Sequence, residues 1–368
     1  MNNSLMKTIR KVSNGILTVF LYFLFSTLII SSNCKRMNTL SEDKTVWKAT
    51  ISAPVDAPIE IVKGELIASD YTYYFDPIWG TVHPGWGTGS GNLGESQQVH
   101  SAPNKLKLLW YSHNDRAFYQ GSWDIQSPEL KNKFAKSYQY WDANREENVS
   151  TKHNLFVIGL GPDGLVNLWF GGDNDQYLVG SYKGTVTNVS KEDLPENAQY
   201  LFNPQFIESV NSSMVNNNKV NEFVLTNGNT DRKLLEDFNQ VHSWRIQLQE
   251  GDKVIGNSKI ERLKLVNGEE AGDLSKLIVQ LKEDALAALY FLLLNYTSDD
   301  GSKYVVRVEM IPSEVNQIMK ELGKGGEAIL LDIQIENLSP SGINVEFKKG
   351  DQSRTPKEVK SRLTKLVN

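Results

Sequence analysis

Two glycine patterns in this sequence have the spacing of a phosphate-binding turn. Gly89, Gly91 and Gly94 fit G-x-G-x-x-G, with Asp115 downstream where a ribose-binding acid would stand, and Gly159, Gly161 and Gly164 repeat the spacing. Such glycines hold a pyrophosphate only when a strand leads in and a helix N-terminus follows. Pro84 precedes the first set and the polar stretch 95–103 follows it; Pro162-Asp163-Gly164 turns the second set straight into another apolar run. Neither set predicts a nucleotide site. The histidines, His83, His100, His113, His153 and His242, do not pair at metal-ligand spacing. Asp173-Asn174-Asp175 starts like a calcium loop but lacks the glycine and the closing glutamate. No metal and no cofactor is therefore expected. No G-x-S-x-G elbow and no phosphate-loop lysine occurs. Asp76, Asp115 and Asp163 are the acids nearest the aromatic region, and paired carboxylates there are what an envelope hydrolase would need.

The single cysteine carries a clearer message. Lys7, Arg10 and Lys11 precede an apolar stretch from Ile16 to Ile30, and Ser31, Ser32, Asn33 and Cys34 follow. A basic start, a short apolar run and small residues before a cut describe an export signal. The run is shorter than the roughly 20 apolar residues a permanent bilayer helix requires. The site resembles the bacterial lipobox, in which the cysteine thiol takes a lipid before cleavage; Asn33 departs from the usual small residue there. Residues 1–33 then read as signal peptide and 34–46 as lipidated cysteine and tether. No aspartate that would favour inner-membrane retention follows the cysteine. The expected address is the cell envelope, facing the periplasm, on the outer rather than the inner membrane. One cysteine also excludes an internal disulfide and a thiolate metal site.

Tyr71, Tyr73, Tyr74, Phe75, Trp79 and Trp86 crowd one short stretch, and Trp110, Tyr111, Phe118, Tyr119 and Trp123 come next. Alternating aromatics on strands normally fill a core. Trp79 and Trp86 lie among glycines and prolines, which predicts a loop. With Tyr73 and Trp110 they are the expected platform for a protein or glycan ligand.

These residues need elements to hold them. Runs 46–53, 59–68, 106–111, 117–123, 156–160, 165–170 and 176–189 have strand grammar, and Gly161-Pro162-Asp163-Gly164 predicts a hairpin. Ser127-Pro128-Glu129 predicts a helix over 128–140. Short helices are expected over 204–217 and 230–240, the second capped by Thr230 or Asp231, with Asn-rich loops at 216–218 and 227–229. Further strands are expected at 242–249, 259–266, 304–310, 328–335 and 343–347, while 285–295 fits strand or helix. Ser313 should cap a helix over 313–322, and Pro356 should open a C-terminal helix with Val359, Leu363 and Leu366 on one face. No repeat of fixed period is visible. The reading is α+β, predominantly antiparallel sandwich-like sheets with few short helices, in two β-rich halves. An N-terminal β-rich domain spans 47–190, a mixed helical connector 191–240 and a C-terminal α+β domain 241–368. The net charge of −5 and the lack of a basic run after the leader exclude a nucleic-acid footprint.

The order Trp47 with Ile51-Ser52-Ala53-Pro54, then Gly85-Trp86-Gly87, then Trp110-Tyr111-Ser112 with Phe118-Tyr119, then Gly161-Pro162-Asp163-Gly164 with Val166 and Trp169 resembles the bacterial lipoprotein family catalogued as domain of unknown function 2931, over roughly 47–170. The resemblance implies a β-rich lipoprotein body and brings no catalytic residues with it. A membrane-anchored, non-enzymatic binding protein is the expectation, its ligand a protein, as in toxin immunity, or a glycan; the alternative is the envelope hydrolase. Cys34→Ala should leave the precursor uncut and without lipid, because the thiol is the acceptor. Mass spectrometry of the mature N-terminus checks this, and an unmodified N-terminus elsewhere would refute it.

Overall fold

The structure, a computed structural model, describes residues 44–91, 98–217, 230–271, 286–324, 327–339 and 342–366. The leader, Cys34 and the tether up to residue 43 lie outside the described residues, as do Gly94, Asn218 and the asparagines at 227 and 229.

Strands that bury alternate side chains need a second sheet to cover them. In the first half one sheet runs in the order Lys48–Ser52, Leu155–Leu160, Leu165–Gly171, Gln176–Lys183. Its first pair is parallel and the rest antiparallel. The facing sheet runs Thr185–Thr187, Ala117–Asp124, Lys105–Ser112, Ile59–Ile67, Thr72–Phe75, with Thr81–Val82 also paired to Ile59–Ile67. Ile51, Phe156, Ile158 and Leu168 from one sheet meet Ile61, Leu106, Leu108 and Trp110 from the other in one core.

The second half repeats this plan. Trp244–Glu250 pairs in parallel with Ile329–Ile335, which continues antiparallel into Ile343–Lys349 and Gln352–Arg354. Lys259–Leu265, Leu289–Thr297 and Lys303–Met310 form an antiparallel meander, and the last strand, Val359–Lys365, returns to its edge as Thr185–Thr187 does in the first half. In each half a helix, Pro128–Lys133 or Pro312–Leu322, joins the meander to the second sheet. Each half also has a register shift at the same place, after Ile61 and after Ile260. Trp47 and Trp244 lie at matching points, and their indoles donate to the carbonyls of Ser101 and Ala287, 3.0 and 3.1 Å away. The strand order is thus duplicated although no fixed sequence period announces it. Insertions, such as the ribbon Ser137–Asp142 with Glu147–Lys152 in the first half, shift the spacing. The architecture is α+β, dominated by antiparallel sheets with a few short helices.

Several expected elements change type. The helix predicted over 128–140 stops at Lys133; Ser127 caps it by accepting the Leu130 N–H at 3.1 Å, but Ala135 takes φ 59° and the chain leaves as strand. The run 176–189 breaks at Gly184 and serves both sheets, because the ring of Trp110 fills the space a side chain would need there. Pro312, not Ser313, opens the later helix, whose N-cap position is Ile311. The expected C-terminal helix is the strand Val359–Lys365: seven backbone pairs with Lys303–Met310 outweigh a weak helical face. Asp231, accepting the Leu234 N–H at 2.7 Å, caps the helix Arg232–Asp237. The run 285–295 resolves as strand from Leu289.

Residues Thr45–Asn368 form one compact unit. The join between its halves combines apolar packing, with Leu165 and Trp86 against the second-half core, and polar contacts. Gln176 and Glu270 exchange backbone hydrogen bonds of 2.9 and 3.0 Å. The Gln176 amide donates to the carbonyls of Gly87 and Gly268, 2.8 and 2.6 Å away, and the Trp169 indole donates to Asn267 O at 3.2 Å. A Cβ on Gly87 would stand 2.4 Å from the Gly268 Cα, and both glycines have left-handed φ, 75° and 86°. Gly87→Ala should therefore cost about 2–4 kcal/mol from combined strain and clash. Gly251→Ala, also left-handed but with open space around it, should cost only about 1 kcal/mol. Urea unfolding midpoints compare the two; equal costs would show that the close approach does not matter.

Candidate functional site

The outer face of the second-half meander is the floor of a cleft. Alternation sends Leu263, Leu265, Leu292, Leu294, Val306 and Val308 into the core, and their neighbours outward. Register then aligns the outward residues in rows. Arg262 pairs with Leu293, Leu293 with Arg307 and Arg307 with Arg362; one step along, Lys264 pairs with Phe291, Phe291 with Glu309 and Glu309 with Lys360. Tyr290 is skipped at a register irregularity beside Lys264 and also lines the cleft.

The roof comes from the first half. The turn at Pro54–Asp56 and the loop Pro84–Thr88 overhang the sheet, and Leu235 and Phe238 close one end. The cleft has a volume of about 430 Å³, the size of a small-molecule site. The loop is pinned: Gly85 N donates to Ala53 O at 2.9 Å, and the Ser52 hydroxyl donates to Gly85 O at 2.8 Å. Trp86 packs edge-on against Trp169, ring centroids 5.0 Å apart. Gly159 leaves the room for both rings and Gly161 for Leu235: a Cβ on Gly159 would lie 2.4 Å from Trp169 and 2.9 Å from Trp86, and one on Gly161 2.8 Å from Leu235. The second glycine pattern is thus a packing device beneath the roof.

The floor is a network of charge around rings. Glu270 takes both hydrogen bonds of Arg262, each 2.8 Å. That leaves Lys264 at 3.4 Å from the same carboxylate and 3.5 Å from the Thr88 hydroxyl. Arg307 donates to Glu309 at 3.0 Å. Lys264 Nζ and Arg307 Cζ sit 6.0 and 5.2 Å from the centroid of Phe291. Burial pushes the Lys264 ammonium below the usual lysine range, with Arg262 adding to the push, and the pull of Glu270 does not restore it. Burial, then Glu270 and Glu309, push the Tyr290 hydroxyl far up, so it stays a neutral donor. Asp56, on the opposite wall, accepts the Thr230 backbone N–H at 2.9 Å.

Of the aromatics expected to form a platform, Trp86 alone lines this cleft. Trp110 is fully buried and Tyr73 is 5% exposed, so neither offers a ring to a ligand; both lie on strand positions that face the first core, the ordinary fate of alternating aromatics. Trp79 closes a short 3-10 turn and packs half-buried on the same core. Asp76 is exposed. Asp115 and Asp163 do meet: Asp115 accepts the Asp163 N–H at 2.9 Å and the Ser112 hydroxyl at 2.8 Å. Burial favours a raised Asp163 carboxyl, but hydrogen bonds from Lys183 and Arg232 overcome it and hold the group below the usual range. That suits an ion-pair anchor, not a general acid. His153 is buried against Asp175 at 2.6 Å and stacks on Tyr138, which makes the Asp173–Asp175 turn a hairpin support. No group of three metal-ligating side chains occurs among the described residues.

The sequence reading missed Arg262, Lys264, Glu270, Tyr290, Phe291 and Arg307. Their one local signal is a pair of arginines and a lysine at outward strand positions, which ordinary solvated strands share. Pairing between distant strands brings them together.

Glu270→Gln should destabilise by about 2 kcal/mol, since it leaves two partly buried cations without their shared carboxylate. Lys264→Met should instead raise the melting temperature at neutral pH. A base with a lowered folded pKa destabilises below that value, and the penalty fades as pH rises toward the ordinary 10.5. The gain should therefore shrink in alkaline melts; a loss of stability at pH 7 would contradict the burial argument.

The chain's sequence matches the family model described as "Protein of unknown function (DUF2931)" over residues 33–221. No curated protein and no solved structure matches the chain. The matched segment contains the whole first copy of the fold and the cleft roof, Pro54–Asp56 and Pro84–Thr88, while the floor strands from Lys259 to Met310 lie beyond it. The match covers just over half of the sequence, and the chain belongs to the DUF2931 family.

Proposed function

We propose that this is an exported, lipid-anchored binding protein of the cell envelope, facing the periplasm from the outer membrane, and that it holds a ligand rather than transforming one. The cleft carries this reading. Its walls come from both halves, its space matches a small ligand or the end of a chain, and rings alternate with polar groups along it. A protein epitope needs roughly 800 Å² of surface on each partner, far more than this recess offers. The cleft therefore favours a glycan over a protein toxin as ligand. The basic start, the short apolar run and Cys34 support the address, and the family match opens at residue 33, beside that cysteine. A lipid tether would keep the cleft at high local concentration against envelope polymers. Asp115 and Asp163, bound into a salt-bridge cluster, do not favour the hydrolase alternative.

Fractionation of a tagged full-length chain should place it with outer-membrane markers and beyond the reach of protease added to intact cells. Cys34→Ala should move it to the inner membrane as uncut precursor. The purified chain should sediment with insoluble cell-wall glycan. Recovery in the soluble fraction would sink the anchoring proposal, and a chain that stays in the supernatant would sink the glycan.

A further inference from the structure

The two copies of the fold treat the same face differently. In the first copy, Val62, Tyr111 and Phe118 on the outer face of the meander are covered by Leu194, Ala198 and Leu201 from the connector. Buried Glu60 locks that cover by accepting the Tyr200 and Thr81 hydroxyls at 2.6 and 2.5 Å. In the second copy, among the described residues, the corresponding face is roofed by the Pro84–Thr88 loop and the Pro54–Asp56 turn, with Leu235 and Phe238 at one end, and a cleft lies beneath them.

The charges on that face do not balance among themselves. Arg262, Arg307 and Arg362 share one cross-strand row, with only Leu293 between the first two, and Lys264 and Lys360 share the next. Like charges opposite one another on a sheet repel and destabilise it. Glu270 answers Arg262 with two hydrogen bonds and Glu309 answers Arg307 with one. Lys264, its side chain only 16% exposed, is left at the edge of a carboxylate already taken. That cation shares its one close carboxylate with Arg262, and an incoming anion would supply a counter-charge of its own. The rings frame the same point: Phe291 lies between Lys264 and Arg307, and Trp86 hangs from the roof of the same space.

We infer that the ligand of this cleft is acidic: a carboxylate or phosphate group held by Lys264, Arg307 and the free edge of Arg262, with the body of the ligand, a sugar ring, against Trp86 and Phe291. This rests on the cleft being the ligand site and names the chemistry it selects. Asp56 and Glu309, which also line it, would repel a ligand carrying charge all over, so one acidic group beside a neutral ring fits best.

The test titrates the full-length chain in detergent with glucuronate, glucose 6-phosphate, glucose and inorganic phosphate, read by calorimetry and by tryptophan fluorescence. At least one acidic sugar should bind about tenfold or more tightly than glucose and than inorganic phosphate. Raising salt from about 20 to about 200 mM should weaken it. Glucuronate and glucose 6-phosphate separate a carboxylate from a phosphate source. Lys264→Met and, independently, Arg307→Gln should each reduce the acidic sugar's affinity about tenfold or more, and a melt at or above the wild-type temperature shows that Lys264→Met is folded. Three results overturn the inference: no saturable binding of either acidic sugar, binding of glucose as tight as of its acids, or unchanged affinity in both variants. Equal binding of glucose would leave the glycan reading standing while removing the acid, and cell-wall sedimentation tests that reading separately.

Discussion

Everything distinctive in this protein hangs on one close approach, where Gly87 and Gly268 meet backbone to backbone under the amide of Gln176. Two carbonyls with no strand partner would otherwise be buried there, and the single Gln176 side chain donates to both. No residue with a Cβ fits either glycine position without a clash. The contact holds the loop Pro84–Thr88 over the second-half sheet, so Trp86 and Thr88 roof a cleft whose floor comes from residues almost two hundred positions later. Glu269 reinforces the join by accepting the Leu178 N–H at 2.9 Å, and its neighbour Glu270 turns the other way to organise the cations of the floor. One short segment, Asn267–Glu270, thereby links the stability of the join to the electrostatics of the site.

The duplicated strand order explains how such a site could arise. A two-sheet unit has two outer faces, and each must be solvated, covered or used. The first copy covers its meander with apolar residues of the connector; the second keeps charged residues there and borrows a loop from the first as a partial lid. Cations on the floor are compatible with folding because Glu270 and Glu309 neutralise part of the charge, but the compensation is incomplete at Lys264.

The carboxylates tell the same story from the other side. Asp163 and Asp115 lie close together, yet cations and hydroxyls hold them. The cleft concentrates charge, and Cys34 is the one residue whose own sequence context points to covalent chemistry.

How much of this was legible in advance follows from the range of the interactions. Signals that act within a few residues were readable: the strand alternation, the Gly161–Gly164 hairpin, the Ser127 cap and the cap at Asp231 are all local. Where a local preference competed with distant pairing, the distant pairing won. The C-terminal segment has apolar residues at helical spacing, yet an open strand edge at Lys303–Met310 offered seven residues of ladder. The run 176–189 alternates without interruption, yet Gly184 lets it change sheets because Trp110, more than seventy positions earlier, needs the space. The duplicated topology was hidden because insertions destroy the period while leaving the order of strands intact. The cleft was invisible for the deepest reason: Arg262, Lys264, Phe291 and Arg307 become neighbours only through sheet register, and the loop that roofs them is placed by a glycine contact across the whole chain. The sequence by itself determined the β-rich class and most of the strands, because those follow from periodicity and local hydrogen bonding. Tertiary structure alone decided which face stays open and which charges meet there, because register and close packing are properties of segments brought together from far apart.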